Sequence, residues 1–161
     1  MKEYLRIKRD IDRENTLKVL IEEIEELFDA GNDELVEEKM TKANTLVTAD
    51  GRMLDEYAVR YYYSWTDLEG LVGELTINVP KIERIEAQDL EELIVWMRKV
   101  IAGEETLEDI DYGYFDNYYR EFFLENLPNG EDAYEAIFEE CKVQEVIDIA
   151  YQEKDSNVIL L

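Results

Sequence analysis

The 161-residue chain carries 41 Asp and Glu against 17 Lys and Arg, no His, and a formal charge of −24. Such a balance repels nucleic acid and anionic membrane surfaces, and its self-repulsion calls for an offsetting partner, bound cation or high salt. The lack of His and the single Cys141 exclude His-based triads, ordinary zinc sites and an internal disulfide.

With 46% hydrophobic and 11% aromatic residues and only two Pro, the composition supports a packed core rather than a disordered acidic tail. One domain is expected, or two closely packed lobes with a boundary near 103–106. The opening residues lack the apolar stretch of a signal peptide, and the longest apolar run, Leu93–Met97, is far below a membrane span. A cytoplasmic, soluble protein is the expectation, with Cys141 as a half-buried structural thiol.

Residues 4–11 place Leu5, Ile7 and Ile11 on one side and suggest a first strand, within the only basic stretch of the chain. From about Glu14 the period changes. Leu17, Leu20, Ile21, Ile24, Leu27 and Phe28 recur at helical spacing up to Gly31. A second helix is expected from Asn32 or Asp33 to about Asn44. Residues 45–80 read as β: Tyr57, Val59, Tyr61, Tyr63 and Trp65 alternate with their neighbours, and 71–79 supplies a return strand before Pro80. Another helix is expected from an Asp89 N-cap to Gly103, with Arg98 and Lys99 in its last turn, where its dipole favours them. Helical stretches follow at about 114–127 and from Asp132 to about Lys142. The end reads as a hairpin of 146–151 and 158–161, or as helix through Tyr151. The expected fold class is α+β, with amphipathic helices packed on a small antiparallel sheet.

The acids are unevenly placed. Residues 103–161 hold 17 acidic against three basic side chains. On the first helix the polar face is Glu22, Glu25, Glu26 and Asp29, with like charges at i,i+4, which destabilise an isolated helix. The next helix adds Asp33, Glu34, Glu37 and Glu38. Any one such run fits a solvated face. Two acidic helices side by side also approach the charge density of a nucleic-acid backbone, because helical turns lift carboxylates by about 5.4 Å and a DNA strand presents a phosphate per roughly 3.4 Å.

Eleven Tyr fall mostly in two clusters, Tyr57, Tyr61, Tyr62, Tyr63 and Tyr112, Tyr114, Tyr118, Tyr119. The first is expected to be mainly core, since Tyr57, Tyr61 and Tyr63 share a strand face. The second interleaves with Asp109, Asp111 and Asp116 and is either core or an interface suited to Arg side chains.

Other chemistry fares worse. Asp109–Gly113 begins like a calcium loop, but its Gly is one position early and no Glu closes it. ExxE pairs at Glu22/Glu25 and Glu34/Glu37 lack the second acidic pair and the basic residues of a helical pyrophosphohydrolase. No cofactor is implied, and the chain reads as non-enzymatic.

In charge, size and fold style the chain resembles the acidic DNA mimics of phages and mobile elements, the anti-CRISPR and antirestriction proteins. That resemblance covers composition along the whole chain and matches no family motif. It implies an inhibitor, monomeric or homodimeric, that fills the nucleic-acid groove of a basic protein such as a CRISPR effector nuclease or restriction enzyme. It implies no direct nucleic-acid or membrane contact. The contact residues would be Glu22, Glu25, Glu26, Asp29, Glu34, Glu37 and Glu38, with Asp109, Asp111, Tyr112, Tyr114, Asp116 and Tyr118 as a second patch. An immunity protein for a nuclease toxin would use the same electrostatics. Halophilic adaptation fits scattered acids better than clusters with 27 Glu to 14 Asp.

Overall fold

A computed structural model describes residues 1–153, and all the regular structure among them is helical. The expected α+β class is therefore corrected: no strand, and so no antiparallel sheet, occurs among the described residues. The chain divides into two units, an inserted unit of residues 8–78 and a split unit made of Met1–Ile7 and the chain from Val79 on. The boundary expected near 103–106 falls inside the split unit.

In the inserted unit, α1 spans Ile11–Ala30. The strand expected over 4–11 is absent; Glu3–Leu5 is a short 3-10 turn, and the helix starts where the Asp10 carboxylate accepts from the Arg13 N–H at 3.1 Å. Asp12 and Glu14 in the first turn suit the positive end of the helix. Gly31 ends it in the left-handed conformation (φ 69°) that favours glycine, with the Gly31 and Asn32 N–H groups closing on the Phe28 and Leu27 carbonyls. Asn32 then caps α2, Asp33–Asn44, by accepting from the Leu35 N–H at 3.3 Å. An ion pair from Lys39 to Glu23 (2.5 Å) ties this helical hairpin together.

The segment expected to be a β-hairpin is instead α3, Glu56–Tyr61, a 3-10 turn over Tyr62–Ser64, and α4, Leu68–Thr76. Two aspartates decide this. Asp55 accepts from the Ala58 N–H and Asp67 from the Gly70 N–H, both at 2.7 Å, and each satisfies a first-turn donor that a strand would not leave open. Asn44 pins the loop before α3, accepting from the Leu54 N–H at 2.8 Å and donating to the Leu54 carbonyl at 2.9 Å. Leu17, Leu20, Ile21 and Ile24 of α1 then pack with Val36, Leu54, Val59, Tyr62 and Leu71, Val72 and Leu75 of α4 in one aliphatic core.

The split unit holds α5 (Ala87–Ile101), α6 (Tyr112–Asn126), α7 (Gly130–Ile137) and α8 (Val143–Tyr151). Asp89 is not the cap of α5; it sits in the first turn and accepts the Tyr4 hydroxyl at 2.7 Å. Helix α7 begins two residues before the expected Asp132 and ends well before Lys142. A side chain at Gly130 would fall on the Phe123 carbonyl, so glycine lets α7 start directly against the backbone of α6. Residues 146–151 are helical, which corrects the closing hairpin; its return strand, 158–161, lies outside the described residues. Leu90, Leu93, Ile94 and Met97 of α5 are buried, as is the ring-rich face of α6, and Trp96 of α5 meets Phe115 and Tyr119 edge-on. No described helix is long and apolar enough to cross a membrane.

Candidate protein-interaction surface

The acids of the helical hairpin are placed by the burial of the opposite helix faces. With Leu17, Leu20, Ile21 and Ile24 turned inward, Glu22, Glu26 and Asp29 are left exposed on α1. Helix rise separates Glu26 and Asp29 from Glu22 by about 6 and 10 Å along the axis. Glu34, Glu37 and Glu38 are likewise exposed on α2, where Val36 and Ala43 face in. Two of the nearby lysines are engaged with acids outside these rows, Lys18 with Glu69 at 3.6 Å and Lys39 with Glu23. The basic opening stretch is also matched locally, Arg9 to Glu14 at 2.7 Å and Arg13 to Asp10 at 3.5 Å.

Glu25 differs from its neighbours. It is half-buried and accepts two phenols, Tyr62 at 2.7 Å and Tyr63 at 3.2 Å. Burial, together with the hydrogen bonds to Tyr63 and Glu25, pushes the Tyr62 phenol well up from its ordinary value, so it stays a donor. Glu25 is thus a link between α1 and the tyrosines.

Those tyrosines reverse the expected assignment. Tyr62 is buried at 1% exposure, while Tyr57, Tyr61 and Tyr63 are 64%, 52% and 67% exposed and Trp65 is 48% exposed. A strand would have put Tyr57, Tyr61 and Tyr63 on one inner face. The helical period puts Tyr57 and Tyr61 on the outside one turn apart, their rings 4.9 Å from centre to centre. Capping chemistry at Asp55 was the available signal for this; the alternation of aromatic residues masked it.

The second patch separates into pieces. Tyr114 and Tyr118 are buried, at 6% and 0% exposure, in the core with Tyr119, so their expected contact role is corrected. Six aromatic residues at 114, 115, 118, 119, 122 and 123 form a continuous helical stripe, and that stripe makes the core of the split unit. Asp111 caps α6, accepting from the Tyr114 N–H at 2.8 Å. Half-buried Asp116 accepts the Tyr134 hydroxyl; burial and this bond push the Tyr134 phenol up. Asp109 and Tyr112 are exposed, Tyr112 at 48% with its ring against Phe115, and partial burial together with the Asp116 charge raises its phenol.

Among the described residues no three His, Cys, Asp or Glu side chains converge as metal ligands would; of the ExxE carboxylates Glu22, Glu34 and Glu37 are exposed, and Glu25 is taken up by Tyr62 and Tyr63. Comparison with protein-family models, curated proteins and solved structures returns no match for this chain. The surface must therefore be understood from its own chemistry, as an acidic helical hairpin bordered by outward tyrosines.

Proposed function

We propose that the chain is a non-enzymatic cytoplasmic inhibitor that occupies the nucleic-acid-binding groove of a basic protein, such as a CRISPR effector nuclease or a restriction enzyme. The observation that supports this is the pair of exposed acid rows on α1 and α2. Helices packed about 8–10 Å apart carry two lines of carboxylates across a width that a phosphate-binding groove can span. Glu22, Glu26 and Asp29 with Glu34, Glu37 and Glu38 stand in for phosphates, and the chain's −24 charge speeds encounter with a positive groove.

The test passes lysate of the source cell over the immobilised chain and elutes with duplex DNA at about 50 and 200 mM salt. Nucleic-acid-binding proteins should be retained and then released by DNA and by salt. The Glu22→Lys, Glu26→Lys, Asp29→Lys triple variant should retain none of them. Retention that survives excess DNA and is indifferent to salt overturns the proposal.

A further inference from the structure

Four of the exposed large apolar side chains of the inserted unit are rings gathered between Tyr57 and Trp65, on a chain rich in exposed carboxylates. Aromatic side chains in solvent forgo the burial their large apolar faces favour, so an exposed group of them marks a contact surface. We propose that the rings of α3 and its following turn dock arginine side chains of the partner, so that the partner's contact segment is rich in arginine rather than lysine. This rests on the inhibitor reading above and names what the groove must present.

Three observations carry the choice of occupant. First, the Tyr63 phenol is held by Glu25 at 3.2 Å, which sets a ring beside the acid row of α1; Glu22 and Asp29 lie one turn to either side of that glutamate. A guanidinium there meets a ring face and a carboxylate together. Second, the unit already binds a guanidinium this way. Arg60 lies 4.1 Å over the Phe28 ring while its Nε donates to Glu56 at 2.9 Å. Third, the surrounding charge excludes other occupants. An apolar segment would bury carboxylates without partners, and a second copy of the chain would bring −24 against −24.

Arginine and lysine differ at such a place. Guanidinium is flat, weakly hydrated and able to stack while its edge pairs with a carboxylate; ammonium is a compact, strongly hydrated point charge. Acid rows alone attract both equally. Rings beside acids favour arginine by a few-fold for each ring engaged.

Calorimetric titration of the full chain with nona-arginine and nona-lysine peptides separates the possibilities. The wild type should bind the arginine peptide roughly tenfold more tightly, as expected for two rings engaged. The Tyr63→Ala, Trp65→Ala variant, with unchanged circular dichroism and urea midpoint, should bind nona-lysine as the wild type does and lose most of the preference for nona-arginine. Tyr57→Ala, Tyr61→Ala serves as a second pair should the first lose its fold. Equal wild-type affinity for the two peptides overturns the inference and leaves the inhibitor reading standing. Failure to bind either peptide overturns that reading itself. A concentration-dependent doubling of mass in sedimentation, lost in the ring variants, would show that a second copy occupies the rings and also overturns the inference.

Discussion

The inserted and split units are built from the same materials, acidic helices and tyrosine clusters, and they use them in opposite ways. In the split unit Tyr114, Tyr118 and Tyr119 of α6 are buried, and the hydroxyls of the last two donate to backbone carbonyls, Tyr118 to Arg6 at 3.5 Å and Tyr119 to Leu5 at 2.9 Å. In the inserted unit the core is already filled by leucine, isoleucine and valine, and only Tyr62 enters it. The rings at 57, 61, 63 and 65 remain outside. An abundance of tyrosine therefore says little about interfaces. What separates core rings from surface rings is their helical phase and whether a buried acceptor awaits the hydroxyl.

The largest contrast should come from removing one ring in each unit. Phe122 is fully buried and packs against Tyr118 and Tyr119, so Phe122→Ala should cost about 3–5 kcal/mol in urea unfolding. Tyr61→Ala, on the exposed side of α3, should stay within about 0.5 kcal/mol of wild type. Comparable losses would mean that the outward rings are structural and that the contrast between the units is false.

A smaller effect is expected at Arg98. Its position near the end of α5 suggested service to its own helix dipole. Its guanidinium instead donates to the Ile137 carbonyl at 3.0 Å, the Cys141 carbonyl at 2.6 Å and the Ala136 carbonyl at 3.2 Å. It thereby closes the carbonyl end of α7, where a cation is favourable. Arg98→Met should cost about 1–3 kcal/mol through carbonyls left without a donor, and it should leave peptide binding unchanged. Loss of binding without loss of stability would assign Arg98 to the contact surface instead.

How legible the sequence was depended on length and period. α1 and α2 were readable because apolar residues recur at helical spacing over several turns and a Gly-Asn pair marks the turn between them. α6 is readable as a helix, and the tyrosines at 114, 118 and 119, taken together with Phe115, Phe122 and Phe123, describe one buried stripe rather than a surface. Residues 56–76 were misread because Tyr-Ala-Val-Arg-Tyr fits a period of two as well as 3.6 over so short a span. In such a segment the caps at Asp55 and Asp67 outweigh β-propensity. Nothing local indicated that Arg98 would serve another helix, since that contact joins residues about forty positions apart in the chain.

The smallest effects test the acids themselves, and there the two patches should differ in sign. Asp111 satisfies a first-turn donor of α6, so Asp111→Ala should cost about 1 kcal/mol. Glu26 faces Glu22 one turn away on α1, a like-charge pair, and it stands near the negative end of the helix. Glu26→Lys removes that repulsion, creates a Glu-to-Lys pair in the favourable order and suits the dipole. A gain of about 0.5–1 kcal/mol is expected, larger at low salt than at high salt. A surface shaped by stability alone would not leave that gain unused. If Glu26→Lys instead weakens the fold, the acid row is part of what holds α1 in place, and its case as a surface kept for a partner falls.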